Sequence, residues 1–385
     1  MPGAARIEFA NTLRGFAAIA VMISHYLGFF GPGRDLIAAI INAPSLSLDR
    51  QPIPIYMEWF FNIPVVSLGA FGVALFFIIS GFVIPFSLQN LGWLEFSVSR
   101  FFRIVPTYVA GFSVTLLALF FSTTYFSNAW PHSPLEILVH YVPGIRDVLW
   151  SKHIDFIVWT LEIEMKFYFV CALMAVWFRR YSLKVFLLPI VLFLLSLCLD
   201  RLVPGWSTSN ALAYRLGMTF ILSSQYLIFM FTGVAFHYLY RGKIDPVRAA
   251  LFVGALFALF CTHWWAGPYS AGFGVARSYA AAVLTFVFAY TFPGIFKGNR
   301  LFDFLADISY PLYVIHGVAG YVALRILLDK GVGPWPSLFV VTVGCLVASS
   351  LLHVLVERPS QALGKRLAAG LGSARFSIPV DAQRT

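Results

Sequence analysis

Apolar runs separated by short polar breaks dominate the chain, with little of the short-period alternation of a soluble domain. Windows of about nineteen residues pick out stretches near 12–30, 66–88, 101–122, 156–178, 184–203, 218–240, 247–265, 273–293, 304–327 and 336–356. Each approaches the roughly 20 apolar residues a helix needs to cross a bilayer, where every backbone N–H and C=O must be paired within the element. The pattern predicts an all-α, polytopic membrane protein with about ten transmembrane helices. The first run, Leu13 to Phe30, exceeds a signal-peptide core and has neither a strongly basic lead nor a small-residue cleavage site after it. It reads as a retained first span.

Composition agrees, since 59% of the residues are hydrophobic and 11% charged, against roughly a quarter charged in a soluble domain. The net charge of +10 comes from short clusters between apolar runs, a topology signal that argues against nucleic acid as a partner. Arg100, Arg103, Arg179, Arg180, Lys184, Arg241, Lys243, Arg248, Lys297 and Arg300 fall in alternate turns, and Arg358, Lys365, Arg366, Arg375 and Arg384 follow the last span. Opposite loops hold fewer bases, so the positive-inside rule predicts N-in, C-in and an inner-membrane location among membrane lipids. The two longest connections, 31–65 and 123–155, contain Pro44, Pro52, Pro54, Pro131, Pro134 and Pro143, and long loops of this kind often line binding sites. Cys171, Cys198, Cys261 and Cys345 are scattered, which predicts buried thiols and no metal site.

Ionisable groups inside a bilayer are costly, so each one within a span is a candidate for function. The first span holds Arg14 and His25, eleven residues apart. That is close to three turns, so they share a face about 16 Å apart along the axis. Such a vector suits a long ligand with anions at one end and a reactive group at the other, as in acyl-CoA. Two plainer readings stand beside it: Arg14 as an interfacial side chain whose head reaches water, and His25 as a helix-packing histidine. As a catalyst, His25 would take a proton from an acceptor hydroxyl. Arg100 and Arg103, three residues apart, present two guanidinium groups on one face; they fit a phosphate clamp and equally the positive-inside rule.

The fourth span opens with Trp159-Thr160-Leu161-Glu162-Ile163-Glu164-Met165-Lys166-Phe167-Tyr168. Residue counting puts Glu164 near the depth of His25, where a carboxylate could orient the imidazole. The alternative is an ion pair of Lys166 with Glu162 or Glu164 that holds helices together. In the ninth span, Ser309-Tyr310-Pro311-Leu312-Tyr313-Val314-Ile315-His316 places His316 at mid-bilayer, with Pro311 bending the helix where a cavity is lined. His316 reads as a second catalytic or substrate-contacting histidine, or as packing. Gly72, Ala74, Ser80 and Gly81 in the second span permit close helix approach.

The ordered set of Leu13 to His25, Gly72 to Phe82, Arg100 with Arg103, Trp159 to Tyr168, Ser309 to His316 and Glu357-Arg358-Pro359 resembles the acyltransferase-3 family of integral-membrane O-acyltransferases. These modify O-antigen, exopolysaccharide, Nod factors and macrolides. The resemblance spans roughly residues 7 to 360 and implies a transmembrane acyltransferase domain over 1–360 with a cytoplasmic tail over 361–385. It implies ten core helices, His25 as the essential histidine, Glu164 as the motif's glutamate, and Arg14, Arg100 and Arg103 as donor-site residues. Trp159, Glu162, Tyr310 and His316 become candidates for substrate contact. Asn11 stands where members commonly carry Asp, and Ala74 where some carry an acidic residue.

The expected reaction is transfer of an acyl group, acetyl foremost, from acyl-CoA to a sugar hydroxyl of a cell-surface or lipid-linked glycan, with homo-oligomerisation open. The rival is a transporter or flippase for an acyl donor or glycan precursor.

Overall fold

The computed structural model describes residues 7–47 except Pro32, 66–267 and 274–376. All described regular structure is helical. The helices are α1 (Glu8–Phe30), α2 (Arg34–Ile40), α3 (Leu68–Leu88), α4 (Trp93–Tyr125), α5 (Pro134–His140), α6 (Arg146–Leu149), α7 (Val158–Leu173), α8 (Ala175–Arg179) and α9 (Leu187–Leu202). They continue as α10 (Ala211–Tyr240), α11 (Pro246–Ala266), α12 (Gly274–Thr291), α13 (Arg300–Asp307), α14 (Ser309–Ile315), α15 (Val318–Asp329), α16 (Pro334–Leu352) and α17 (Arg358–Phe376). Pro52, Pro54 and Arg50 of the first long loop, and Arg384 near the C-terminus, lie outside the described residues.

Polar caps set several helix starts. The side chains of Asn210, Asp245 and Asn299 accept the backbone N–H of Ala213, Arg248 and Phe302, satisfying donors that a first turn leaves unpaired. Ser133 and Glu136 form a reciprocal capping box on α5 inside the second long loop.

Among the described residues seven helices are long and apolar enough to cross a membrane, or eight if α14 and α15 form one span bent by 54°. The expected spans near 156–178 and 273–293 correspond to α7 with α8, broken at Met174, and to α12 of 18 residues, which are not among the seven. The ninth span departs further from expectation, because it is three pieces. Pro311 does not make the bend: it sits in the first turn of α14, where a missing N–H breaks no intrahelical bond. The break falls instead at His316 and Gly317. At the other end, a π-turn over His353–Glu357 carries α16 into α17, so the helix runs through the expected boundary at residue 360. Pro359 falls just past that turn, where the altered bonding accommodates it. Gly364 packs on Phe102, which holds α17 against α4.

The core is α3 between α1 and α10, and close glycine contacts explain why. A Cβ on Gly72 would meet the carbonyl of Ala17 at 2.7 Å, and one on Gly81 the carbonyl of Met230 at 2.0 Å. Gly233 faces the Ile78 carbonyl in the same crossing. The small-residue run is thus a helix-packing device. Gly81→Ala should cost about 1–3 kcal/mol or more, read as a lower melting temperature of the detergent-solubilised protein, whereas Gly254→Ala, with open space around it, should not.

Candidate active site

Two histidines from distant parts of the chain meet in the core. His25 lies in the last quarter of α1, and His316 lies at the break after α14. Their rings stack with centroids 5.0 Å apart, and His316 Nε2 is 3.0 Å from His25 Nδ1. His316 Nδ1 is 2.7 Å from the carbonyl oxygen of Leu312, one helical turn back. A carbonyl only accepts, so His316 Nδ1 carries hydrogen. In a neutral His316 ring, Nε2 is then a lone pair and His25 Nδ1 must donate to it. That leaves His25 Nε2 as a lone pair with its ring orientation fixed. The Tyr26 hydroxyl donates to the carbonyl of His316 over 3.2 Å, pinning the broken segment to α1.

His25 is therefore oriented by His316, and the expected contact with Glu164 is not the one formed. Glu164 instead accepts from Ser80 (3.1 Å) and Tyr168 (2.5 Å). It acts electrostatically on Arg14 and Arg100, as do Arg103 and, for Arg14, Glu357. Residue counting along single helices gives a level and not a partner, and Glu164 finds its partners on α3 and within α7. The π-turn that holds Glu357 also pairs it with His353 at 2.5 Å and with Gln361 at 2.9 Å.

The arginines differ in their freedom. Arg100 is buried, bonded to Ser87, and packed over the rings of Phe96 and Tyr168 at 5.2 and 5.4 Å. Arg14 and Arg103 are half-buried. Arg103 acts on both Arg14 and Arg100, and Glu164 with, for Arg14, Glu357 answers part of that charge, which leaves a positive excess suited to phosphate. Tyr310 binds this region to α4, donating to the Ile104 carbonyl at 2.9 Å.

Glu162, expected at the substrate, forms a buried ion pair with Arg146. Its two oxygens take Arg146 Nε at 2.8 Å and a terminal nitrogen at 2.6 Å, and both side chains are almost wholly buried. Lys166 pairs with Asp147, so neither proposed pairing within α7 forms. Together these pairs fasten α6 and the second long loop onto α7. Trp159 packs among rings of α3 and α10, 5.2 Å from Tyr226 and 6.4 Å from Phe77. In the loop before α7, burial pushes the Asp155 carboxyl up to about 7, although one oxygen accepts from the backbone N–H of Ile157.

Sequence reasoning missed several contributors. Thr160 and Tyr313 share a 2.8 Å hydrogen bond, and the Tyr313 ring lies 5.9 Å from that of His316. Both residues lie inside motifs already singled out, so proximity to a histidine was the available signal. Tyr26 adjoins His25, and Ser80 lay hidden in the small-residue run.

The model of the acyltransferase domain of the acyltransferase-3 type matches residues 7–354. The chain belongs to the acyltransferase-3 family. This acyltransferase-3 chain is 25% identical to Nodulation protein 10 of Rhizobium leguminosarum bv. viciae over 390 residues, covering 93% of this chain and 94% of the relative. It is 28% identical to the exopolysaccharide production protein ExoZ of Rhizobium meliloti (strain 1021) over 318 residues, covering 79% and 94%. No solved structure matches. Where acyltransferase-3 members commonly carry Asp, Asn11 donates to Asp303 of α13 at 2.9 Å. A carboxylate from another helix thus lies beside Asn11.

Proposed function

We propose that this membrane acyltransferase moves an acyl group, acetyl foremost, from acyl-CoA to a sugar hydroxyl of a cell-surface or exported glycan. The observation that carries the reading is the fixed polarity of the imidazole pair, which leaves His25 Nε2 as the proton acceptor. Arg14 and Arg103, backed by Arg100, suit the phosphates of the donor, and the spacing along α1 suits its extended shape. The acceptor hydroxyl gives its proton to His25 Nε2 as its oxygen takes the acyl carbon, and the departing thiolate recovers that proton. His316 holds the imidazole in the productive tautomer, the part a third group plays in triad chemistry. The names of the two relatives, one in nodulation and one in exopolysaccharide production, support a saccharide acceptor. An inner-membrane setting with both termini in the cytoplasm follows from the distribution of Lys and Arg.

Purified protein given acetyl-CoA and candidate saccharides should release free CoA thiol in an acceptor-dependent manner. Vesicle uptake or export of the donor with no thiol release would replace this reading by the transporter.

A further inference from the structure

Outside the site described above, two turns far apart in sequence are clasped together. One joins α8 to α9 and carries Tyr181 and Ser182, and the other joins α10 to α11 and carries Arg241 and Lys243. The Tyr238 hydroxyl donates to the Ser182 carbonyl at 3.1 Å, and Arg241 Nε donates to the Tyr181 hydroxyl at 2.8 Å. Lys243 Nζ stands 4.6 Å from the centre of the Tyr181 ring. The Arg241 guanidinium carbon stands 5.9 Å from the same ring and 5.7 Å from that of Phe86. The runs Leu183–Trp206, Ala211–Tyr240 and Pro246–Ala266 are each long and apolar enough to cross a membrane, so the clasp sits where three spans reach one membrane face.

The charge gathered there is not answered within the protein. Asp245, the nearest carboxylate in sequence, takes Arg248 at 3.2 Å, and among the described residues neither Arg241 nor Lys243 pairs with a carboxylate. With Nε committed to Tyr181, the guanidinium keeps its two terminal nitrogens for a pair of oxygens, and the ammonium brings a second positive charge to the same ring. Around these charges the surface turns apolar. Trp177, Leu183 and Leu187 flank the first turn, Tyr240 and Val247 the second, and all five are between 45% and 69% exposed. An anion that carries apolar chains matches both features, whereas a soluble phosphate would use the charges alone.

We infer that the clasp is a binding site for an anionic phospholipid, with the headgroup phosphate held by Arg241 and Lys243 and the acyl chains lying along the apolar flanks. A zwitterionic headgroup brings its own cation, which two unanswered positive charges repel, so the site selects net negative charge. Bound there, the lipid neutralises the clasp and ties the α8–α9 turn to the α10–α11 turn. The inference stands apart from the proposed acyl transfer, and its test reads binding alone.

The test is thermal unfolding of the purified full-length protein in dodecyl maltoside micelles, titrated with dioleoylphosphatidylglycerol or dioleoylphosphatidylcholine. Phosphatidylglycerol should raise the melting temperature saturably, and phosphatidylcholine and inorganic phosphate should not. Each cation beside an anionic headgroup is worth about fivefold in affinity, so Arg241→Gln with Lys243→Gln should raise the phosphatidylglycerol midpoint by about 25-fold. Lys243→Gln alone, which breaks no hydrogen bond and spares the fold should the double variant not assemble, should raise it about fivefold. Lys243→Arg should keep the wild-type midpoint. Lys365→Gln with Arg366→Gln removes the same charge from exposed positions on α17 and should leave the midpoint in place. Equal stabilisation by phosphatidylcholine or by inorganic phosphate, or a shift in the α17 variant as large as that in the clasp variant, overturns the inference. A melting shift with acetyl-CoA that disappears in Lys243→Gln overturns it as well, by assigning the charge to the acyl donor.

Discussion

His25→Ala is expected to lower acyl transfer by about 10²–10⁴-fold, the range for a positioned acid–base group, while helical content and membrane insertion stay as they are. The side chain is half-buried, and its described polar contact is with His316, so its removal leaves no buried charge unpaired. His316→Ala should fall short of that loss. It leaves the base present but frees His25 to adopt the other tautomer, in which Nε2 carries the hydrogen and cannot accept a proton. The measurement is CoA thiol release, with circular dichroism on the same samples. Full activity in His25→Ala would sink the assignment of the base. Wild-type activity in His316→Ala would leave His25 as the base but deny that its tautomer is set by its neighbour.

The second large effect is on stability. Glu162→Gln strips the charge that answers Arg146 inside the protein, where both side chains are nearly inaccessible. Breaking one partner of such a pair costs about 3–5 kcal/mol, because the remaining charge stays buried without compensation. The loss should appear as a large fall in melting temperature and as proteolysis in the loop that α6 anchors. Arg146→Met combined with Glu162→Met should recover most of it, since two apolar side chains of similar length strand no charge. A double variant as unstable as Glu162→Gln would show that the carboxylate does something beyond pairing with Arg146. Its further contact is the backbone N–H of Asp147 at 3.3 Å, which accounts for only a modest share.

Several site features could be read from residue order because they are local in sequence. Arg14 and His25 share one helix, so spacing alone gave their common face and separation. The clustering of Arg100 with Arg103 followed from an i,i+3 step in the same way. Glu164 was a different problem. Its neighbours come from α1, α3 and α4, and the choice between His25 and Arg14 depends on how deeply α7 starts and how it tilts. Glu162 shows the same limit: Lys166 is its helical neighbour, yet Arg146 from the loop offers a two-point fork that a lysine cannot.

The sequence by itself determined that the chain is a set of apolar helices, that its first helix carries an arginine and a histidine on one face, and that its motifs resemble those of the acyltransferase-3 family. Those properties depend on helical periodicity and on the cost of placing charge in hydrocarbon, which act locally along the chain. Tertiary structure decided the break at His316, the partnership of His316 with His25, and the direction in which the hydrogen points between them. Hydrogen-bond polarity is set by which carbonyl a side chain meets. Leu312 reaches His316 within one helical turn, but His25 meets His316 only across 291 positions of sequence, and no local pattern records that encounter.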